Sequence, residues 1–225
     1  MDPKIIPINL KVPCYLITTT DGCILIDTGD SSDCNRLEKE LDLLGVSSQN
    51  FMLVILTHGD FDHSGNAALL RKKYGVKIAM HASDSGMVEK GDMGFNRKLR
   101  SDRVSVFGRI IMFISSHFVP QSQFEVFMPD FLLKDGQDLS EFGFDSKVLE
   151  LPGHSKGSIG ILTGNGDLFC GDLLMNMLKP DSHFMIDDYA DFTSSIEKLK
   201  KLDIKTVYPG HGKPFPFEQY IKNHH

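Results

Sequence analysis

Short apolar runs alternate with stretches of helical spacing along most of the chain. Runs rich in β-branched and aromatic residues predict strands, and leucines three or four apart, followed by glycine, predict helices. The predicted strands are residues 12–19, 23–28, 51–56, 77–80, 124–127, 131–133, 146–151, 158–163, 167–170 and 206–208. The predicted helices are residues 32–44, 64–74, 104–117, 191–202 and a terminal segment from 217. Both kinds of element appear twice in similar order, which predicts an α/β protein with two sheets and helices outside them.

Metal-binding side chains are concentrated in residues 57–66, directly after the apolar run 51–56. Four of them fall close together: His58, Asp60, Asp62 and His63. Alternation in an extended loop would turn the first three toward one side, and the fourth precedes a helix that Ser64 opens. Imidazole and carboxylate are usual ligands of first-row metals. A solvated polar turn is the alternative for any one of these residues alone.

Three later strands each end in one more histidine or aspartate. These residues are His154, Asp172 and His211, and each follows an apolar run and has a glycine beside it. Glycine allows a tight turn that brings the side chain inward. The strand ends therefore offer seven candidate ligands in order: His58, Asp60, Asp62, His63, His154, Asp172 and His211.

That order resembles the metallo-β-lactamase superfamily, whose members carry a His-x-His-x-Asp-His motif, a later Gly-His, a Gly-Asp and a final Gly-His. The resemblance covers residues 12–212, with 82–123 peculiar to this chain, and implies a four-layer αββα sandwich with a dinuclear metal centre at one edge of its two sheets. It also implies a ligand set: His58, Asp60 and His154 for the first metal, Asp62, His63 and His211 for the second, and Asp172 as the bridge. Asp62 could also steer the proton of the attacking water, which makes it the candidate catalytic residue.

Position 60 departs from the family pattern, because this chain has Asp60 where a second histidine is common. The added carboxylate brings the formal charge of two divalent ions, a hydroxide and the aspartates from plus one to zero. The metals should then acidify bound water less. An oxygen ligand also shifts preference from zinc toward iron or manganese, although carboxylates bind zinc as well. We expect two divalent ions per chain and leave their identity open among zinc, iron and manganese.

Length and composition fit one domain over residues 1–225. Hydrophobic residues make up 41% of the chain, enough for a substantial core. The formal net charge of −6 leaves no basic footprint for nucleic acid or anionic membranes, and no apolar span reaches about 18 residues. We therefore expect a small-molecule substrate, no nucleic-acid or membrane partner, and a cytoplasmic location. The oligomeric state stays open, with a homodimer as one option.

Residues 82–123 interrupt the alternation of strands and helices. They are rich in methionine, phenylalanine and arginine and lack a clean strand. We interpret them as an inserted helical segment that covers the site. A lipophilic or acyl substrate beneath this cap is one explanation of its composition, and ordinary packing is the other.

Some residues near the motifs are expected to act locally. Asp27 ends a strand, and in the family this position supports the metal loops without binding metal. Thr57 and Ser155 are expected to hydrogen-bond to near neighbours. The four cysteines have no CxxC spacing and are expected to be reduced: Cys14, Cys23, Cys34 and Cys170.

The remaining histidines lack ligand spacing. His81 closes a strand and is expected to face the surface or a substrate rather than a metal. His117 and His183 are expected to be structural or exposed. The terminal His224 and His225 receive no role.

Site chemistry of this kind favours metal-assisted hydrolysis. Two ions share a water, lower its pKa from about 15.7 toward neutrality and polarise the substrate oxygen. The leading hypothesis is a hydrolase that uses a metal-bridging hydroxide on a small ester, lactone or thioester. The carboxylate at position 60 leaves a non-haem di-iron oxidoreductase with a separate electron donor as one alternative. A metal-binding sensor without turnover is the other.

Overall fold

The computed structural model describes residues 3–105 and 124–224, which form two large sheets with helices on their outer faces. The strands are β1 Lys4–Ile8, β2 Cys14–Thr18, β3 Cys23–Ile26, β4 Phe51–Ile55, β5 Lys77–His81, β6 Arg103–Val104, β7 Phe131–Leu133, β8 Ser146–Glu150, β9 Ile159–Thr163, β10 Asp167–Asn176, β11 Pro180–Ser182, β12 Met185–Ile186, β13 Thr206–Gly212 and β14 Phe215–Pro216. The helices are α1 Cys34–Leu43, α2 Phe61–Ser64, α3 Ala67–Tyr74, α4 Ala82–Lys90, α5 Tyr189–Leu199 and α6 Phe217–Asn223. None of these helices within the described ranges is both long and apolar enough to cross a bilayer.

The two sheets bring strand ends together at common edges. The first sheet has the order β1-β2-β3-β4-β5-β7, antiparallel up to β3 and parallel from β3 onward. The second has the order β14-β13-β10-β9-β8, with β11 beside β10, and β10 runs parallel to β13. A separate pair joins β6 to β12. Because parallel strands end at the same edge, the loops after β3 and β4 are neighbours, and so are the ends of β10 and β13.

Alternate side chains of the first sheet enter two different cores, since side chains in a strand alternate between faces. Leu16 and Leu25 pack with α1 and α3, whereas Ile17 and Ile24 pack against the second sheet. The far face of the second sheet packs on α5 and α6, with Phe192 among the contacts. The layers therefore follow the order helix, sheet, sheet, helix, which confirms the predicted αββα sandwich.

The structure has five short strands that were not predicted, and one predicted strand is missing from the described residues. The unpredicted strands are β1, β6, β11, β12 and β14. Strand β1 was not predicted, because Pro7 interrupts its short apolar run and the strand lies at a partly exposed edge, where pairing with β2 decides its conformation. Residues 124–127 form no strand. Their backbone pairs instead with α4, where Phe127 N donates to Val88 O at 3.1 Å, and the Phe127 ring fills the outer core.

The predicted insertion, residues 82–123, is described only in part. It begins with helix α4, but Val104, predicted to start a helix, lies in β6 opposite Met185. Cross-strand pairing therefore overrides the local helical pattern at that position. The part of that predicted helix from residue 106 onward, with His117, lies outside the described residues. The cap and the single domain over 1–225 stay predictions.

The four cysteines are free thiols, as expected for a reduced protein. Cys14, Cys23 and Cys170 are buried in strands. Burial raises the pKa of the Cys23 thiol to about 11 and that of the Cys170 thiol to about 12. These side chains therefore act as small core residues.

Helix α4 joins two loops of opposite sheets through one buried carboxylate. Asp84, only 1% exposed, accepts from Gly157 N at 2.8 Å, from Ser155 Oγ at 2.6 Å and from Gly59 N at 3.3 Å. Ser155 Oγ also lies 2.7 Å from Ser158 Oγ, which is the local contact predicted for it. Asp84 thus fixes the loop after β4 against the loop after β8. Little in the sequence signals this role, because the partners are up to 73 positions away.

Asp84→Ala should lower the free energy of unfolding by roughly 3 kcal/mol or more, because three donors in a buried site lose their common acceptor. Urea-induced unfolding of chelator-treated protein measures the effect. Asp92→Ala is the matched control, since the Asp92 carboxylate accepts one exposed bond, from Gly94 N at 2.9 Å, and should change stability by about 1 kcal/mol or less. Equal free energies of unfolding for the two variants would contradict the role of Asp84.

Candidate metal centre

All seven side chains predicted as ligands lie together where the two sheets meet. His58 and Asp60 lie in the loop after β4, Asp62 and His63 in α2, His154 in the loop before β9, Asp172 in β10 and His211 in β13. Helix α2 begins at Phe61, earlier than the predicted start at Ser64. The donor atoms form close groups, within each of which they lie within 4.8 Å of one another. Two of these groups are the trios that the family resemblance assigned to the first and the second metal.

Asp172 occupies the centre of this cluster. Its Oδ2 atom lies 3.3 Å from His211 Nε2, 3.7 Å from His154 Nε2 and 3.8 Å from His58 Nε2. Its Oδ1 atom lies 3.2 Å from His63 Nε2. The side chain is only 3% exposed. Four imidazoles from different elements therefore converge on one buried carboxylate.

The spacing of these donor atoms fits a first-row metal ion. Nitrogen and oxygen ligands about 2.1 Å from a tetrahedral zinc ion lie about 3.4 Å from one another. The distances between neighbouring donor atoms in the cluster range from 2.9 Å, for His154 Nε2 and Asp60 Oδ2, to 3.8 Å, for His58 Nε2 and Asp172 Oδ2. Several buried atoms make no hydrogen bond within the described residues: His58 Nε2, His63 Nε2, Asp60 Oδ1 and Asp172 Oδ1. Buried polar atoms without partners are rare in proteins. Their convergence means that the residues present fit a metal ion.

Hydrogen bonds at the Nδ1 atoms turn the Nε2 atoms of two rings into the cluster. His154 Nδ1 lies 3.1 Å from the carbonyl oxygen of Met185, and His63 Nδ1 lies 2.9 Å from Asp27 Oδ2. A carbonyl and a carboxylate can only accept, so each ring donates at Nδ1 and, when neutral, keeps its lone pair at Nε2. Metal-binding histidines are commonly oriented in this way.

Asp27 holds the loop after β4 in place. Its carboxylate accepts from Thr57 N and from Thr57 Oγ1, both at 2.8 Å, in addition to His63. Since Thr57 Oγ1 donates to Asp27, it accepts from His58 Nδ1 at 3.0 Å. The Asp27 backbone has a φ of 57°, an unusual value for a residue with a side chain. Asp27 and Thr57 thus make the supporting contacts predicted for them.

Two glycines are required beside the cluster because a larger residue would collide with the ligands or their supporting side chains. A Cβ atom at Gly171 would lie 2.5 Å from Thr57 Oγ1, and one at Gly210 would overlap Asp172 Oδ1 and the His63 ring. Gly171 also has a φ of 49°, where glycine is favoured. These contacts explain physically why glycine stands beside the ligands in the Gly-Asp and Gly-His motifs.

His183 faces the same cluster and is buried, so the exposed position predicted as one option for it was wrong. It is 4% exposed, and its Nε2 atom lies 3.3 Å from Asp172 Oδ2. With His154 and Asp172 it forms a further group of close donor atoms. No motif around residue 183 signals this position. It arises because β11 pairs with β10 and returns the chain to Asp172.

A guanidinium group lies among the predicted ligands of the first metal. Arg97 Nη2 is 2.8 Å from Asp60 Oδ2 and 3.3 Å from His154 Nε2. The segment that carries Arg97 is anchored, because Lys98 N donates to the Asp187 carboxylate at 3.2 Å and β6 pairs with β12. The sequence assigned no role to Arg97, since its partners lie far away along the chain.

His81 lies apart from the donor groups of the described residues. Its Nε2 atom is 3.1 Å from Glu150 Oε1, and its Nδ1 atom accepts from Ser83 N at the start of α4. The position of His81 toward the surface or a substrate, rather than a metal, stays a prediction.

The charges of the cluster depend on one another. Burial favours the neutral form of Asp60, but Arg97 and the neighbouring histidines hold the pKa of Asp60 well below its usual value. Histidines likewise outweigh burial at Asp172 and hold its pKa well below the ordinary range. In the other direction, Asp172 and Asp27 raise the pKa of His63 against the effect of burial. Both aspartates are therefore ionised at neutral pH, and protons or metal cations must balance them.

Comparisons with known proteins agree with this geometry. A family model described as the metallo-beta-lactamase superfamily matches residues 8–211. Hydroxyacylglutathione hydrolase GloC of Haemophilus influenzae is 31% identical over 220 residues, which cover 94% of this chain and 91% of that protein. A metallo-beta-lactamase family protein of Thermus thermophilus superposes with a TM-score of 0.70 at 21% identity, covering 98% of this chain and 77% of that one. A structure solved in a di-iron-bound form gives a TM-score of 0.64 at 23% identity and covers 97% of both chains. The chain therefore belongs to the metallo-β-lactamase superfamily, as a metal-dependent hydrolase.

Proposed function

We propose that this hydrolase uses two divalent metal ions to cleave small thioesters, with related esters and lactones as further substrates. The observation that carries the proposal is the convergence of seven histidine and aspartate side chains, several with buried donor atoms that lack hydrogen-bond partners. Imidazole and carboxylate donors suit zinc, iron and manganese. The di-iron form of a structural neighbour supports a site of two ions.

The proposed ligand set divides the cluster into two sites that share one carboxylate. His58, Asp60 and His154 would hold the first ion, Asp62, His63 and His211 would hold the second, and Asp172 would contribute to both sites. The ions supply the Lewis acidity that activates a water and polarises the substrate carbonyl. Burial of the site strengthens every electrostatic contact made there.

Asp62 is the residue proposed to handle the proton of the attacking water. Its side chain is 27% exposed, compared with 12% for Asp60 and 3% for Asp172. Its Oδ2 atom lies 3.6 Å from His211 Nε2, which would bind the second ion together with it. A carboxylate that is open on one side and bound on the other can both hold an ion and accept a proton.

An open cavity next to the cluster supports an acyl substrate. Within the described residues it encloses about 270 Å³ and includes Met175, Met177, Leu178, Phe184, Arg103 and Lys179 in its lining. Met177 and Leu178 are largely exposed, as an apolar contact for an acyl chain would be. The lining also includes Asp181, but the two basic side chains outnumber it and suit a carboxylate at the other end of the substrate. Thioesters are placed first because the relative from Haemophilus influenzae is named for hydrolysis of a glutathione thioester.

A non-haem di-iron oxidoreductase is the second candidate, favoured by the carboxylate at Asp60 and by the di-iron-bound neighbour. It would require electrons from a separate protein. Oxo-bridge absorption with reductant-dependent turnover would favour this candidate over hydrolysis.

His63→Ala and Asp172→Ala should each lower the bound metal, because each variant removes a donor from the proposed sites. Elemental analysis after equilibrium dialysis against zinc or manganese measures the change. His81→Ala is the matched control, because His81 bonds to Glu150 outside the cluster, and should bind as much metal as the wild type. Equal metal content in all three variants would overturn the ligand assignment.

Thioester hydrolysis by the purified protein should stop after chelation and return when two equivalents of zinc, manganese or iron(II) are added. A coupled assay that detects the released thiol follows this directly. Turnover that persists in the metal-free protein would exclude the proposed mechanism. A fully metallated protein that cleaves no thioester, ester or lactone would favour a sensor.

A further inference from the structure

We propose that His183 is an additional metal ligand, which supplies the first metal site with the imidazole that is lost where Asp60 replaces histidine. This inference rests on the proposed two-metal function and deepens it. It assigns a chemical role to a residue that no ligand motif contains.

The position of the ring is the first argument. His183 Nε2 is buried, makes no hydrogen bond within the described residues, and lies 3.3 Å from Asp172 Oδ2. The ring centroids of His183 and His154 are 4.7 Å apart. Together with Asp172, these rings present three donor atoms at separations that one metal ion can bridge. The buried His183 Nε2 atom therefore has no hydrogen-bond partner among the described residues and points at the carboxylate that two ions would share. This is the environment expected of a metal ligand.

The state of Asp60 is the second argument. Arg97 Nη2 lies 2.8 Å from Asp60 Oδ2, the same oxygen that lies 2.9 Å from His154 Nε2. A carboxylate that accepts a hydrogen bond from a guanidinium donates less electron density to a metal ion. The positive charge of Arg97 also offsets the extra negative charge of Asp60. The formal charge of the dinuclear centre then returns to the value it has in relatives with histidine at this position.

One structural unit places both of the residues that compensate for Asp60. The carbonyl of Met185 accepts from His154 Nδ1 at 3.1 Å. His183 Nδ1 lies 3.3 Å from the same oxygen and 3.4 Å from Met185 N, so the backbone of one residue contacts the Nδ1 side of both rings. Met185 begins β12, which pairs with β6, a few residues after Arg97. The described part of the insertion and the β11–β12 turn therefore deliver an imidazole and a guanidinium to the same side of the cluster.

A contact with the substrate is the competing role, because His183 also borders the cavity near Phe184. A substrate contact would change KM and leave the metal content intact. A ligand would change the metal affinity of the protein in the absence of any substrate. Metal binding therefore separates the two roles.

The test is a zinc titration of chelator-treated protein with a competing metal indicator, on the wild type, His183→Ala, His183→Gln and His81→Ala. We expect the wild type and His81→Ala to bind two ions. Both His183 variants should bind one ion as tightly as the wild type and the other about 10- to 100-fold more weakly. Cobalt(II) substitution should show changed visible absorption bands in the His183 variants, and free imidazole should restore the lost affinity in His183→Ala.

Two unchanged zinc affinities in both His183 variants, with or without a higher KM, would overturn the role of His183 and leave the proposed function intact. A wild type that binds no ion would instead overturn the proposed function itself. His183→Gln keeps a polar side chain of similar length. Its metal-free form should unfold in urea with the same free energy as the metal-free wild type, which separates a loss of zinc affinity from misfolding.

Discussion

Buried negative charge at the junction of the two sheets is the constraint on which the rest of the site depends. Asp60 and Asp172 are ionised although their side chains are 12% and 3% exposed. Buried charges of this kind are costly unless cations or hydrogen bonds compensate them. Arg97 supplies one positive charge, and Asp172 raises the pKa of His63 and of His211 against the effect of burial. Protons and metal ions therefore compete for the same nitrogens, so acid should weaken metal binding.

The fold creates this concentration of donors by bringing two sheets together at their strand ends. Asp27 fixes the loop after β4 from within the first sheet, and Asp84 ties that loop to the one after β8 in the second. Each half of the chain therefore contributes only part of the donor set, and the complete site forms only when the two sheets pack together. An ion bound between the halves would also stabilise the folded state, since the unfolded chain does not assemble the site.

The sequence predicted the layers and the seven clustered donors because both follow from local patterns. Side chains in a strand alternate with a period of two, and each predicted donor comes a few positions after an apolar run. The remaining features depend on contacts between distant segments. His183 is brought to Asp172 by the pairing of β11 with β10, and Arg97 is brought to Asp60 by the pairing of β6 with β12. The residues that flank His183 and Arg97 in the sequence form no motif that distinguishes these positions from an ordinary turn.

The most direct test of the account is a crystal grown with zinc or manganese, with anomalous scattering measured across the iron, manganese and zinc edges. We expect a metal peak about 2.0 to 2.3 Å from His63 Nε2 and His211 Nε2 and a second peak beyond Asp172, close to His154 Nε2. The same side chains in the same places, with no anomalous peak between them at saturating metal, would contradict it.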